Sequence, residues 1–292
     1  MKKVFLLLAF IIFQSVFSQQ PVFLKIKKYK INDLGDRLKE SSGLNFFNGK
    51  LYSFNDSGNA PELFEIDKTS GEIIKAMNVF VKNKDWEALA NDGKYFYIGD
   101  IGNNSGTRQD LEIYKISFHN NTLNNDTIKT ISYYYPGQTD FSPKNLKTDF
   151  DAEAMIYLNG KLHIFTKEWA SKSVTHYTVN PEISDQQIAE KTEAYKTGFV
   201  VTDASYFEGK LYLVGYTKKT EVFLDVFTET EPGIFFKERP KHYYLGSSLS
   251  LGQIEGVAAD EKGVYISGEK FNSPLGGAKQ SLYFVPKEKL ED

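Results

Sequence analysis

Residues 153–163 read Glu-Ala-Met-Ile-Tyr-Leu-Asn-Gly-Lys-Leu-His, and this phrase decides the fold. A short apolar strand runs into Asn159-Gly160 and a second strand follows, which is the sequence form of a β-hairpin. Related phrases begin at Ser42, Glu87, Asp203 and Glu255. The five starts are 45, 66, 50 and 52 residues apart. Such a period, built from short strands, is typical of a β-propeller, in which each blade is a four-stranded sheet.

Five copies predict an all-β fold, a five-bladed propeller that forms one domain over residues 19–292, with six blades as the alternative. A β-sandwich is a weaker alternative, because it does not explain a fivefold repeat. The last blade lacks a fourth strand after 281–285, and the stretch 22–31 is predicted to supply it. This pairing would close the ring and remove exposed sheet edges.

The first 18 residues have the pattern of a secretory signal peptide. Lys2 and Lys3 precede an apolar run at 4–13, and Ser18 is the small residue at the exit. The run is too short for a spanning helix, which needs about 20 residues. We therefore expect the mature chain to begin near Gln19 and to work in the periplasm or outside the cell, without a membrane attachment.

Composition excludes several function classes. The 292 residues carry 35 Lys+Arg and 38 Asp+Glu, a net charge of −3, which gives no global reason to bind nucleic acid. The absence of cysteine removes disulfides, thiolate metal sites and cysteine nucleophiles. The four histidines show no metal spacing, and no Gly-x-Ser-x-Gly elbow is present.

The first position of each copy is a carboxylate or a hydroxyl, followed by a small residue. The first strand of each propeller blade lines the central channel, so these positions are expected to form a ring. Four carboxylates on one axis must share protons or hold a cation, and oxygen ligands in an irregular ring suit calcium better than magnesium. The alternative is a set of acids that face a hydrated channel. The predicted ligands are Ser42, Glu87, Glu153, Asp203 and Glu255, with Glu40, Asp85 and Asp151 around them.

A second ring is predicted where the second strand of each hairpin ends, at one mouth of the channel. Its lysines could bind a phosphate or another anion beside the ion, although a solvated rim explains the same residue types. The candidate catalytic residues are Asp56, Asp100 and Lys167. The candidate ligand-binding residues are Asn103, Lys218 and Lys270.

The opening Glu40-Ser-Ser-Gly-Leu-Asn-Phe-Phe-Asn-Gly-Lys-Leu-Tyr resembles the first blade of the calcium-activated apyrases. The similarity continues through Asn55-Asp56, Trp86-Glu87, Glu153-Ala154 and Ile254-Glu255-Gly256. It implies a secreted five-bladed propeller that hydrolyses nucleoside di- and triphosphates. It also implies calcium ligands at Ser42, Glu87, Glu153 and Glu255, and at Asp203 or Ser205 in the fourth blade.

The chain departs from that family at Ala152, where the family has His, and at Lys167, where it has Arg. Its insertion after the second blade is also much shorter. The SdiA-regulated propellers and esterase-like phytase domains are similar as well, through the same Glu-x-Ser-Gly-Leu opening.

Two functions remain open from the sequence. One is a calcium-dependent hydrolase of phosphoric esters or anhydrides, in which the ion polarises the phosphoryl oxygen. The other is a non-enzymatic binding module, in which a structural calcium closes the axis and the mouth binds a ligand or a partner protein.

Overall fold

The computed structural model describes residues 20–274 and 276–290, and its strands form five sheets whose first strands contact one another in a ring. The predicted five-bladed propeller is confirmed. In the first blade the strands are Ser41–Phe47, Lys50–Asn55, Glu62–Ile66 and Ile73–Asn78. In the second blade they are Trp86–Asn91, Tyr95–Asp100, Leu111–His119 and Thr122–Tyr134, with Gln187–Ile188 parallel at the outer edge. In the third blade they are Ala152–Leu158, Lys161–Thr166, Val174–Val179 and Glu190–Tyr195.

The fourth blade contains Val200–Phe207, Lys210–Tyr216, Glu221–Thr228 and Lys241–Ser247. The fifth contains Gln253–Asp260, Gly263–Glu269 and Ser281–Pro286, with Lys30–Asp33 as its outer strand. Outside the blades lie the small hairpin Phe271–Ser273 and Gly276–Ala278, the helical turn Ser248–Leu251, and the 3-10 turns Ile26–Tyr29, Asp36–Leu38 and Lys287–Lys289. Within the described ranges, no helix is long and apolar enough to cross a membrane.

The hydrophobic core is divided into five clusters, and each cluster lies between two neighbouring blades. One of them joins Leu44 and Phe64 of the first blade to Tyr265 and Leu282 of the fifth, so the ring is closed by apolar packing. The inner strands are buried along most of their length, because each blade packs against a neighbour on both faces. Burial of apolar surface between blades therefore holds the strands in their places around the axis.

The N-terminal strand closes the last blade, as predicted, but its predicted bounds of 22–31 are wrong. Lys30–Asp33 is the strand that pairs antiparallel with Ser281–Pro286. Val22–Phe23 instead runs parallel to the outer strand of the fourth blade. Between them a 3-10 turn carries the fully buried Ile26 into the core that the fourth and fifth blades share. Lys25, just before this turn, has a left-handed backbone conformation with φ of +43°, so the extended backbone is interrupted there and one continuous strand does not form.

Candidate functional site

The register of the inner strands corrects the predicted alignment of the ring. Each inner strand has a β-bulge against its neighbour, and the residue without a partner marks the equivalent position in every blade. These positions are Gly43, Glu87, Glu153, Thr202 and Glu255. Three glutamates are thus equivalent, whereas Ser42 lies one residue before this position and Asp203 one residue after it.

Gly43 shows why the first blade carries no acid at the bulge. Its φ of +66° lies in the left-handed region, which favours glycine, and a Cβ there would lie 3.2 Å from the Phe54 ring. The preceding Ser42 reaches across to the second blade, where its hydroxyl lies 3.4 Å from both the carbonyl oxygen and the carboxylate of Glu87. Ser42 therefore contacts one predicted ligand.

Asp203 is engaged by backbone groups. Its Oδ2 accepts hydrogen bonds from the N–H groups of Leu44, at 3.0 Å, and Val257, at 2.7 Å, while Oδ1 accepts from Ala204 at 2.8 Å. These three donors belong to the inner strands of the first, fifth and fourth blades. The carboxylate of Asp203 thus ties three blades together across the axis.

Lys167 provides an ammonium group inside the channel. Its Nζ donates to both carboxylate oxygens of Glu153, and both side chains are almost completely buried. The same nitrogen lies 5.1 Å from the ring centre of Trp169 and 5.4 Å from that of Tyr216. Burial alone would lower the pKa of Lys167, but the carboxylates of Glu153 and Glu255 outweigh it and raise the pKa well above its ordinary value. Lys167 is therefore a resident cation beside the ring.

Glu255 is the predicted ligand with a buried carboxylate oxygen that has no hydrogen-bond partner among the described residues. Its Oε1 accepts from Gln253 at 2.6 Å and lies 3.4 Å from the Tyr216 hydroxyl. The oxygen without a partner is Oε2, which is buried. The residue as a whole is only 6% exposed, so solvent does not take the place of that partner. A buried carboxylate oxygen without a partner is costly, and an additional cation or donor would relieve that cost.

More carboxylates surround Glu255 at this mouth, and the sequence had placed only some of them in the site. Burial, followed by repulsion from Glu40 and Glu255, raises the pKa of Asp56 to about 7. Burial, followed by repulsion from Glu255 and Asp56, raises the pKa of Glu269 to about 9. Glu87 also has a pKa well above its ordinary value, mainly because of burial and of the nearby Asp85. We call Glu40, Asp56, Asp85, Glu87, Glu255 and Glu269 the acidic mouth.

Four of the residues predicted to line the mouth are either bonded to other groups of the protein or exposed to solvent. Asp100 is completely buried, accepts the backbone N–H groups of Lys84 and Asp85, and pairs with Arg108. The amide of Asn103 donates to the Phe150 carbonyl, and its backbone N–H donates to Asp151. The remaining two, Lys218 and Lys270, are exposed.

Asp56 remains open to the mouth, where its carboxylate lies 3.3 Å from the amide of Asn59. Glu269 was not singled out from the sequence as a site residue. Its position at the end of a second strand, in Gly268-Glu269-Lys270, is the signal that could have found it.

The five predicted ligands do not form one coordination shell in this arrangement, because Asp203 and Glu153 are already engaged. No three of the His, Asp or Glu side chains in residues 20–274 and 276–290 are gathered closely enough to hold a metal ion. Calcium binding stays a prediction. The donor chemistry still suits a hard cation, and the unpartnered oxygen of Glu255 is the place where one would be bound.

The Lys167–Glu153 pair predicts a large and asymmetric effect of mutation. Lys167→Met should lower the free energy of unfolding by about 3–5 kcal/mol, because it leaves a buried carboxylate without its partner. The double variant Lys167→Met/Glu153→Gln should recover much of that loss, because neither charge is then left alone. Urea denaturation of the wild type, of the single variants Lys167→Met and Glu153→Gln, and of the double variant measures this coupling.

Lys172→Met is the matched control, since that ammonium lies 5.2 Å from the Trp169 ring but is only partly buried. Its effect should stay within about 1 kcal/mol. An additive double variant would contradict the assigned pairing of Lys167 with Glu153.

The acidic mouth, together with the buried Asp151, predicts that the free energy of unfolding in EDTA falls as the pH rises. The folded-state pKa values of Asp151, Asp56 and Glu269 are raised, to about 6, 7 and 9. The folded chain therefore binds more protons than the unfolded chain above about pH 4, where unfolded carboxyls titrate. The free energy of unfolding should be highest near the lower end of this window and should decrease through these three values.

Thermal melts between pH 5 and pH 9 measure this dependence. Asp56→Asn should flatten the part of the profile below about pH 7, because the residue no longer titrates. A profile that rises with pH over this range would contradict the assignment.

Neither a protein-family model nor a curated protein matches the chain. Among solved structures, an oxidoreductase (glucose dehydrogenase) of Thermus thermophilus is 11% identical, with 86% of this chain and 98% of that chain covered and a TM-score of 0.48. A 6-phosphogluconolactonase of Bacteroides uniformis is 13% identical, with 88% and 72% covered and a TM-score of 0.37. The WD40 repeats of RRP9 are 8% identical, with 92% and 99% covered and a TM-score of 0.45. These likenesses carry no conclusion about activity, and the resemblance to apyrases is not supported by any matched family.

Proposed function

We propose that this chain is an extracytoplasmic propeller that binds calcium at its acidic mouth and acts there as a binding module. The observation that carries the proposal is the buried, unpartnered Oε2 of Glu255, which lies among carboxylates. Repulsion from Glu255 contributes to the raised pKa of Asp56, Glu87 and Glu269. A divalent cation would remove this repulsion.

The residues suggest which side chains would hold the ion. Glu255 and Glu87 belong to the predicted ring and form no salt bridge with a cation of the described ranges, and Asp56 and Glu269 adjoin Glu255. All are oxygen donors, and the irregular set suits the variable coordination of calcium better than the octahedron that magnesium requires. Because no three acids of the described ranges are gathered closely enough to share an ion, binding would have to draw these side chains towards Glu255. The ion would thereby bring the second strands of neighbouring blades closer together.

Because of Lys167, the proposed site differs from the calcium ion on the axis that the sequence predicted, held by the whole ring of ligands. The Lys167 ammonium already neutralises Glu153, so the fold does not depend on a metal to compensate every buried carboxylate. We therefore place the ion beside Glu255, between the first and fifth blades, and expect the chain to fold without it.

The extracytoplasmic location rests on the signal-peptide pattern of the first 18 residues, which lie outside the described residues. Calcium is abundant outside the cytoplasm, where binding modules use weak sites with Kd values of about 10⁻⁴–10⁻³ M. A site with few committed ligands is suited to that range.

A calcium titration of the EDTA-treated protein tests the proposal. The melting temperature should rise saturably, and the free energy of unfolding should increase by about 2.7 kcal/mol at a hundredfold excess over Kd. Glu255→Gln should abolish most of the rise, because it removes the charge of the unpartnered carboxylate. Magnesium should give a smaller shift than calcium.

Glu168→Gln is the matched control, because Glu168 is also a buried glutamate but is bonded to the hydroxyls of Thr166 and Thr175. It should keep the full calcium response even if its own stability falls. A wild-type melt that does not respond to calcium, or an equal response in Glu255→Gln, would show that the mouth is not a calcium site.

A calcium-dependent phosphohydrolase is the second candidate, and the open position of Asp56 favours it. Asp56 is the one proposed catalytic residue whose carboxylate faces the mouth without a salt bridge to any described residue, whereas Asp100 and Lys167 are paired with Arg108 and Glu153. A carboxylate in this position could accept a proton from an attacking water. The surplus of negative charge at the mouth disfavours an anionic substrate unless a cation is bound first.

Phosphate release from a panel of phosphomonoesters and nucleoside di- and triphosphates tests this second candidate. Under the hydrolase hypothesis, turnover should require calcium and should fall about 10²-fold or more in Asp56→Asn. Lys129→Ala, a variant of an exposed lysine on the outer strand of the second blade, should change turnover little. Absence of turnover in a protein that shows the calcium shift would leave the binding module as the function.

A further inference from the structure

We propose that the opposite mouth of the channel binds a neutral carbohydrate. The five inner strands all run from the acidic mouth to this end, so their last residues converge around the axis. They line a cavity of about 380 Å³ that receives side chains from every blade. This volume lies within the roughly 300–1,000 Å³ that is typical of small-molecule sites.

The two mouths are separate sites. Along the inner strand of the fourth blade, Asp203 lies between Thr202, at the level of the ring, and Ser205, which lines the cavity. Both oxygens of Asp203 are used by backbone N–H groups of three blades. The Ser205 hydroxyl accepts the N–H of Ala259 from the next blade. This bonded layer divides the channel, so the cavity is independent of the proposed calcium site.

Aromatic rings form part of the cavity wall, and two of them are held in fixed orientations. Tyr157 is stacked on Tyr97, with ring centres 5.5 Å apart and an interplanar angle of 8°. Phe46 packs edge-on against Tyr265 at 5.4 Å. Tyr157 and Phe46 are only partly buried and line the cavity. Rings held in this way offer flat apolar surface with little loss of side-chain entropy.

Polar groups of fixed orientation lie beside these rings. The Asn45 amide donates to the Leu89 carbonyl at 3.0 Å and the Asn91 amide to the Phe46 carbonyl at 2.7 Å, so both amides are held in place. Asn45 has two amide hydrogens and uses one for this bond, which leaves the other for a ligand. The Tyr157 hydroxyl makes no hydrogen bond to any residue of the described ranges.

The charge of the cavity favours a neutral ligand. Lys68 and Asp260 form an ion pair at 3.1 Å on one side, and the Lys68 ammonium also lies 5.2 Å from the Phe46 ring. Glu261 is exposed at the edge. Among the described residues that line the cavity, no cation is left over to attract a phosphate, in contrast to what an anion site needs.

A pyranose ring combines the two features that these walls complement. Its axial C–H groups form an apolar face that packs on an aromatic ring, and its hydroxyls exchange hydrogen bonds with amides and phenols. A purely apolar ligand would leave the amide and phenol groups unpaired, which costs affinity. The cavity therefore fits a mono- or disaccharide.

Isothermal titration calorimetry with glucose, galactose, mannose, N-acetylglucosamine, maltose and cellobiose tests the proposal. At least one of these sugars should bind with a Kd of about 1 mM or lower. Tyr157→Ala should weaken that binding about tenfold or more, through loss of ring contact, and Tyr157→Phe should weaken it less. EDTA should leave the affinity unchanged.

Tyr134→Ala is the matched control, because Tyr134 is a tyrosine that is 41% exposed on an outer strand, away from the cavity. It should bind sugar as the wild type does. The proposal is wrong if none of the six sugars binds to protein with a normal melt, or if Tyr157→Ala binds as well as the wild type. Tighter binding of glucose 6-phosphate than of glucose would also overturn it, since that result would indicate an anion site.

Discussion

The carboxylate of Asp203 is the interaction on which the closed ring depends most. It accepts hydrogen bonds from backbone N–H groups in the inner strands of the first, fourth and fifth blades. The side chain is completely buried, so solvent water does not compete for these bonds. Burial favours the protonated acid and the N–H donors favour the carboxylate, and the net result is a pKa well above the ordinary value. Because one side chain satisfies donors from three strands, those strands cannot separate without leaving buried polar groups unpaired. The same layer gives the channel two ends with different chemistry.

The hairpin repeat was sufficient to predict the blade number, because Asn-Gly turns and period-2 strands are local signals. The sequence correctly predicted that an N-terminal strand closes the last blade, but the predicted residue range was wrong. Ile26 is drawn into the core between two blades, and such a tertiary contact has no local signature. The ring was predicted at the right strands, yet its alignment was off by one residue in two blades. The bulges at Gly43 and Thr202 cause this slip, since a repeat aligned by residue type does not reveal which residue loses its partner.

Lys167 shows the limit of reading roles from strand ends. Its place after Thr166 suggested a rim residue. A flexible four-carbon stem lets the ammonium enter the channel, where Glu153 and two aromatic rings surround it. The position of its ammonium group depends on the carboxylates of the whole mouth, which include Glu269 from the fifth blade. Only the assembled fold brings these groups together.

The fifth blade has a consequence for how the chain acquires its structure. Its outer strand comes from residues 30–33 and its other three strands from residues 253–286, and the Asp33–Ser281 hydrogen bond spans 248 positions. Pairing over such a sequence separation is slow, because a very large loop must close before the contact contributes. During synthesis, residues 30–33 must therefore wait for their partner until residues 253–286 have been made. Four blades can form in order, but the ring is completed only when this late segment pairs with the early strand.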